Sequence, residues 1–592
     1  MVSTPKVLPA KAALPEVDDG LTVLSFNVLL PNGNDGWWIY KASTHCSYQP
    51  HVPEEHRVWP FRKALMRELL LSKDADVVCV QEASAETFES DFDFMKDAGY
   101  DHVLHSKFRF RSATFFKTSK LELVCEKHKD RVLVTGLRTL ARVAAGNTTV
   151  AGASAAAEAS DSADGGGGDG DEGDFSDNRM RSRILMVVNC HLTGGPAPER
   201  RMRQVLDGLD AARKEAAKVL AADATVEAAA RRGKSNGECG DDGGAGGREG
   251  KKGRGKGGGG TAVAPPLLGT SVPVVVCGDF NSHGRTAVCE LLTAGVVTAS
   301  FREQGYPETV LTSKDKRQGF GPFADVYEEA YAAAGAGSER FSGEGGGLQP
   351  PPTFLVPLLH PHFLGEDGEG ISSRLQAALS EAFHSLVESH GGGAAANIGP
   401  GGETIGSERE RAKPFLPREG VEAWLLKINR KLGRGSEFRA ADGIMEPGPE
   451  GGLTLEDFCS IYAMELQEGK FWGVAHDLHA LGVDLPGGMP WVGPYTARFD
   501  RIFYSKATLE AVCALDPLCE EERELVAGGD CLPNSWHPSD HMKVGRGRPT
   551  QLLNGHPHTH LLFCASSLHV RHMSPCHLRP SASTRSAERP HH

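Results

Sequence analysis

The sequence predicts a mixed α/β (or α+β) fold, and three observations carry that reading. Short apolar runs of strand length recur and end in polar residues, stretches with apolar residues at three- and four-residue steps separate several of them, and low-complexity tracts fall between the patterns. The strand patterns are, in order, LTVLSFNVLL from Leu21, DADVVCVQEA from Asp74, SATFFKTSKLELV from Ser112, ILMVVNCHLTG from Ile184, VPVVVCGDFNS from Val272 and RFDRIFYS from Arg498. Helical periodicity covers Val58 to Leu71 and Glu199 to Leu220. VVCVQ and VPVVVCGD are almost continuously apolar, so both of their faces must be covered, by helices or by another sheet. The polar residues that follow such strands then gather at one rim.

The 592 residues are enough for several domains, but 35 of the 71 Gly fall in four low-complexity tracts that must first be set aside: 144–177, 233–260, 335–352 and 391–411. None can bury enough apolar surface to offset the entropy of ordering it, so they are expected as disordered surface insertions in a domain spanning 21–544. Residues 1–20 and 545–592 are expected to be disordered as well. The basic run GREGKKGRGKGGGG reads as a solvated loop, with RNA contact as its alternative. The 64 Lys and Arg stand against 77 Asp and Glu, a net charge of -13, which excludes a protein held to nucleic acid chiefly by a broad basic surface. No apolar run reaches bilayer-spanning length, and the N-terminus lacks the apolar core of a secretory signal. An intracellular protein is expected, in the cytoplasm first, with nucleus or organelle left open. The 13 cysteines are odd in number and without zinc-type spacing, and Cys79, Cys190 and Cys277 sit inside apolar strands as reduced thiols would.

Asn27, Glu82, His191, Asp279, Asn281, Asp500, Asp540 and His541 all fall at or just after strand ends. A carboxylate beside a buried strand is kept ionised most easily by a cation, so Glu82 with Asp279 points to a hard-metal site, Mg2+ or Mn2+. The histidines can donate to a phosphate, and the asparagines can orient a ligand or a water without adding charge. Singly, each residue also has an ordinary reading as a turn former, a solvated acid or a packed histidine.

In order along the chain, FNV, W-x-x-R ahead of a helix, ADVVCVQEA, NCHL, GDFNS, FDRIFYS and PSDH resemble the endonuclease/exonuclease/phosphatase superfamily, the deoxyribonuclease I-like enzymes. The resemblance implies a four-layered α/β sandwich of two mixed sheets, with helices outside and the active site at the rim. It implies that Glu82 binds the metal with Asn27 beside it, that Asp279 positions and deprotonates the attacking water, and that Asn281 orients that water or the phosphate. Asp500 would hold the ring of His541 against the scissile phosphate, His191 would contact the phosphate or assist the leaving oxygen, and Asp540 would complete the metal and water network. In-line attack on a phosphodiester needs metal charge, an aligned water and aimed donors, which this set supplies.

The N-terminal third and LPNSWHPSDH look like the carbon-catabolite-repressor-type deadenylases and nocturnin. Pro196 and Tyr495 stand where those enzymes place a proline and an aromatic that hold an adenine; the ordinary reading makes Pro196 a turn residue and Tyr495 a packing residue. Where that branch reads D-G-C-A-T-F, this chain has Phe110, Arg111, Ser112, Ala113, Thr114 and Phe115. No leucine-rich repeat precedes the domain, so docking on a deadenylase scaffold by that route is not expected. The long insertion before Asp500 carries a helical, EF-hand-like insert over about 413–482, similar to that of a calcium-binding plant subfamily, with Glu446, Glu450 and Asp457 at calcium-loop positions. Gly448 in place of a ligand, and Pro447 and Pro449, make a loop that has lost its metal the expectation. After PSDHMKV the composition departs from the family's. The expected function is a Mg2+-dependent phosphoesterase, most like a 3'-exonuclease of the deadenylase type acting on RNA. The alternatives are a phosphatase on a small soluble phosphate, such as a nicotinamide dinucleotide or an inositol phosphate, and a catalytically dead, calcium-responsive scaffold.

Overall fold

The computed structural model describes residues 20–29, 52–108, 110–140, 184–235, 272–335, 350–368, 370–390, 414–429, 432–433, 435–445, 451–511, 514, 520–539, 541–544 and 568–569. The expectations for residues 1–19, for most of the low-complexity tracts and the tail, and for Glu446, Glu450 and Asp540 lie outside the described residues.

The first sheet holds β1 (Val23–Asn27), β2 (Val77–Ser84), β3 (Tyr100–Leu104) and β4 (Phe110–Lys117), in spatial order β1-β2-β4-β3. The second holds β5 (Leu121–Lys129), β6 (Val132–Thr139), β7 (Ile184–His191), β8 (Val274–Asp279), β9 (Phe323–Asp325) and β10 (Asp500–Ser505), in order β9-β10-β8-β7-β6-β5. Each sheet is mixed: β1 runs parallel to β2, and β7 parallel to β8, while the remaining pairings are antiparallel.

Alternation explains the continuous apolar runs. In β2, Val77 and Cys79 point into the layer between the sheets, where they meet Leu185, Val187, Val275 and Cys277 of the second sheet. Val78 and Val80 point the other way, against Met66, Leu69 and Leu70 of helix α1 (Trp59–Leu71). In β7, Ile184, Met186 and Val188 face outward onto Val205, Leu209 and Ala212 of helix α2 (Pro198–Ser235). Helix, sheet, sheet and helix therefore stack as four layers, the sandwich that the motifs implied.

Two strand readings change in three dimensions. SATFFKTSKLELV is not one strand: Lys120 N donates to Lys117 O at 3.1 Å, and the turn sends β4 and β5 into different sheets. β6, which the apolar pattern does not single out, lies between β7 and the edge strand β5 in the second sheet. Its Gly136 interrupts the apolar run because a side chain there would collide with Cys125 Sγ, 2.3 Å from the place of a Cβ.

Between β9 and β10 the chain leaves the sandwich along an antiparallel stalk, Phe354–Pro357 paired with Pro494–Ala497. Beyond it, helices α3 (Ser373–Ser389), α4 (Arg418–Asn429), α5 (Ser436–Ile444), α6 (Leu455–Gln467) and α7 (Phe471–Leu481) enclose a second apolar core around Phe383, Trp424, Phe458 and Tyr462. Leu416 and Leu453 pair across a short antiparallel ladder that joins two of the helix connections. Among the described residues, no helix is long and apolar enough to cross a membrane.

Candidate active site

Register assembles the site. In the second sheet, Asp279 pairs with His191 on one side and with Asp500 on the other, so three functional side chains share one row across β7, β8 and β10. In the first sheet, Asn27 ends β1 opposite Gln81, next to Glu82. The pairing of β2 with β4 slips between Val80 and Ala83, and Glu82 sits in that irregularity at φ +63°. Such a conformation is unfavourable for a non-glycine residue, and here it redirects a carboxylate that regular pleating would send elsewhere.

The groups converge closely. Asn27 Nδ2 donates to Glu82 Oε1 at 3.3 Å and to Asp279 Oδ2 at 3.1 Å, and lies 3.4 Å from His541 Nε2. His541 Nδ1 is 2.8 Å from Asp500 Oδ2. His191 Nε2 is 3.4 Å from Glu82 Oε1 and 3.8 Å from Asp279 Oδ2. Asn281, at φ +48°, donates from its backbone to Asp279 Oδ1 at 2.8 Å and from Nδ2 to Asp279 Oδ2 and Leu192 O, both at 2.9 Å. Gly278 lets β8 approach β7 this closely: a Cβ there would lie 2.0 Å from Cys190 O.

Electrostatics separates the acids. Burial alone would raise Glu82, but the hydrogen bond and charge of His191, with His541 and Asn27, hold its carboxyl below the usual range. Asp500 is fully buried, and burial pushes its carboxyl up against the pull of His541, with the charge of Asp279 adding to the rise. Glu82 Oε2 and Asp500 Oδ1 are buried without a hydrogen-bond partner. Glu82, His191 and Asp279 each bring a ligand atom to within 4.8 Å of the others, as do Asp279, Asp500 and His541. An acid with one oxygen unsatisfied inside such a group fits a divalent cation, whose charge would replace the missing donor.

Residues distant in sequence fix these side chains. Arg62, the arginine of W-x-x-R, donates to Val28 O, Leu29 O and Pro538 O at 2.8–2.9 Å, tying the loop after β1 to PSDH. Ser539 Oγ donates to Asn27 O at 2.8 Å. Thr353 Oγ1 accepts from Asp500 N at 3.0 Å, and the Phe354 ring lies 5.0 Å from that of His541. Arg62 and Ser539 lie in the W-x-x-R and PSDH motifs; Thr353 and Phe354 carried no signal in the sequence and depend on the meeting of separate segments.

Pro196 is exposed in the loop after β7, and Tyr495 is half-buried on the stalk with its ring 6.1 Å from that of Phe354. On the Pro196 loop, Arg201 donates to Gly195 O at 2.7 Å and stacks on Tyr306 at 5.8 Å; on the stalk, burial pushes the Tyr495 phenol up. Asp457 is not at this site. Its Oδ2 accepts from the Thr454 backbone at 2.9 Å and hydroxyl at 2.7 Å, a capping box that starts α6.

The sequence matches the Endonuclease/Exonuclease/phosphatase family over residues 24–541. The chain belongs to that family. Among curated relatives of this family member, it is 30% identical over 122 residues to the CCR4-Not complex 3'-5'-exoribonuclease subunit Ccr4 of Debaryomyces hansenii, covering 18% of this chain and 14% of that one. To the Schizosaccharomyces pombe subunit it is 33% identical over 112 residues, 17% of this chain and 15% of that one. The matches thus span about a seventh of those relatives' length. Similar solved structures include ANGEL2, a 2',3'-cyclic phosphatase, in complex with adenosine-2',3'-vanadate, at 13% identity and TM-score 0.39, covering 89% of this chain and 94% of that one. The human Nocturnin catalytic domain follows at 12% identity and TM-score 0.30, covering 89% and 93%.

Proposed function

We propose that this family member is a divalent-metal-dependent phosphodiesterase, acting as a 3'-exonuclease on adenylate-rich RNA. The observation that carries the reading is the convergence of Asn27, Glu82, His191, Asp279, Asn281, Asp500 and His541 on one rim, with a buried Glu82 oxygen lacking a donor. Glu82, with Asp279 and His191 beside it, would hold Mg2+ or Mn2+, which when bound supplies positive charge to the phosphate and acidifies a water. Asp279 accepts the proton of the attacking water, and Asn281 keeps the Asp279 carboxylate aimed by donating to both of its oxygens. Asp500 accepts from His541 Nδ1, and its carboxylate favours the imidazolium form of the ring, in which Nε2 donates to a non-bridging phosphate oxygen as charge develops there. His191, on the Glu82 side, stands ready for the leaving oxygen.

The RNA assignment draws on the Ccr4 relatives, described as 3'-5'-exoribonuclease subunits, and on Tyr495 and Pro196 as a base-holding pair beside the site. Purified protein with Mg2+ should shorten poly(A) from its 3' end and lose that activity in EDTA. NADPH and inositol phosphates run in parallel test the small-phosphate alternative: turnover of either, without shortening of poly(A), would overturn the RNA assignment.

A further inference from the structure

Beside the acids stands an arginine that neither the motifs nor the proposed chemistry uses. Asp130 and Arg131 form the two-residue turn between β5 and β6, where Lys129 pairs with Val132. Arg131 has φ +56°, a conformation that glycine or asparagine normally supplies. A bulky residue kept in that conformation points from strain to use. Its place is definite: Arg131 O accepts from His191 N at 3.0 Å, so the turn abuts the functional row of the second sheet. The guanidinium is half-buried and feels the charges of Glu82 and Asp279, yet among the described residues no carboxylate lies within ion-pair distance of it. The nearest acid in sequence is already occupied, since Asp130 accepts from Arg200 at 3.1 and 3.3 Å and from Gln204 at 3.0 Å. Arg200 therefore both removes the partner that Arg131 would take and adds a second positive charge at the same turn.

We propose that Arg131 is a subsite for a second phosphate of the substrate, one group away from the phosphate that is cleaved. A half-buried cation on the turn that abuts His191, with no carboxylate partner among the described residues, suits an oxyanion held bidentately. Because the chain as a whole is acidic, such a local grip is what would distinguish a polyanionic substrate from a lone phosphodiester. The inference rests on the phosphodiesterase reading above and names what that site recognises.

The test compares the wild type with Arg131→Gln, Arg131→Lys and Arg131→Gly on three substrates: bis-p-nitrophenyl phosphate, which has one phosphate, the trinucleotide ApApA, which has two, and NADPH. Arg131→Gln should lower the ratio of kcat/KM for ApApA to that for bis-p-nitrophenyl phosphate by about tenfold, chiefly through KM, with partial recovery in Arg131→Lys. A comparable fall for NADPH instead would support the subsite and assign it to a small multiphosphate. Arg131→Gly relieves the backbone and should melt no lower than the wild type while showing the same loss of ratio. Equal losses on all three substrates, a lower melting temperature for Arg131→Gly, or unchanged ratios would each overturn the proposal. A wild type active only on bis-p-nitrophenyl phosphate would overturn it and leave the phosphodiesterase reading standing; a wild type inactive on all three would overturn that reading as well.

Discussion

At the scale of single residues, the acids of the site are buried and incompletely satisfied by donors. Glu82 and Asp279 are both buried within reach of one Asn27 amide and one His191 ring, and one Glu82 oxygen has no donor. Glu82→Gln and Asp279→Asn should each lower kcat by on the order of a hundredfold or more while the metal-free protein melts no lower, because each change removes a charge that only catalysis needs. Full turnover in both variants, read beside unchanged melting curves, would sink the assignment. His537 supplies a separate test. Burial holds its imidazole down at about 4, although Nδ1 has the Ser539 carbonyl as partner at 2.8 Å. The unfolded chain takes up that proton near pH 6.5 and the folded one does not, so stability is complete above pH 6.5 and declines as the pH falls toward 4. Within that window the decline should reach about 1.4 kcal/mol per pH unit, and His537→Asn, compared by urea unfolding at several pH values, should lose that component of the slope.

At the scale of elements, the decisive device is the close approach of β7 and β8, which brings His191 beside Asp279. Gly278 has φ +127° and no room for a side chain. Gly278→Ala should therefore cost at least about 3 kcal/mol, the scale of a backbone forced out of place, and should abolish activity in whatever folds. A variant that melts normally and turns over normally would mean that β8 can move away without disturbing the site. The strands that end in functional residues were legible because their apolar runs are continuous, a consequence of being covered on both faces. β6 was not: Thr135 and Gly136 interrupt its pattern, and its burial depends on β5, β7 and α2 arriving from elsewhere. Likewise nothing local in SATFFKTSKLELV shows that its two halves join different sheets.

At the scale of the whole molecule, a helical insert with its own apolar core is joined to the sandwich by a two-stranded stalk. The helical core around Trp424 is separate from the cores that line the two sheets. Calorimetry should accordingly resolve two transitions, and Trp424→Ala, which empties a fully buried site, should lower one of them by about 3–5 kcal/mol and leave the other in place. A single cooperative transition that shifts as a unit would show that the stalk couples the cores tightly. The stalk also reaches the site: Phe354 packs on His541 and Thr353 holds the Asp500 backbone, so the helical insert is anchored through residues that position the histidine.

The sequence by itself determined the class of the protein. Apolar runs covered on both faces indicated a mixed α/β fold and placed Asn27, Glu82, His191, Asp279, Asn281, Asp500, Asp540 and His541 at strand ends, because alternation and burial are local properties of a strand; the two-sheet sandwich came from the resemblance of the ordered motifs to a known family. Only the tertiary structure decided how those residues meet. The bulge that turns Glu82, the arginine and serine that pin Asn27 and the loop after it, the stalk that backs His541, and the contact of the Arg131 turn with His191 all come from contacts between separate segments of the chain. Such contacts leave no periodicity in either segment, since each residue is chosen to fit a surface that exists only once the two sheets have closed on each other.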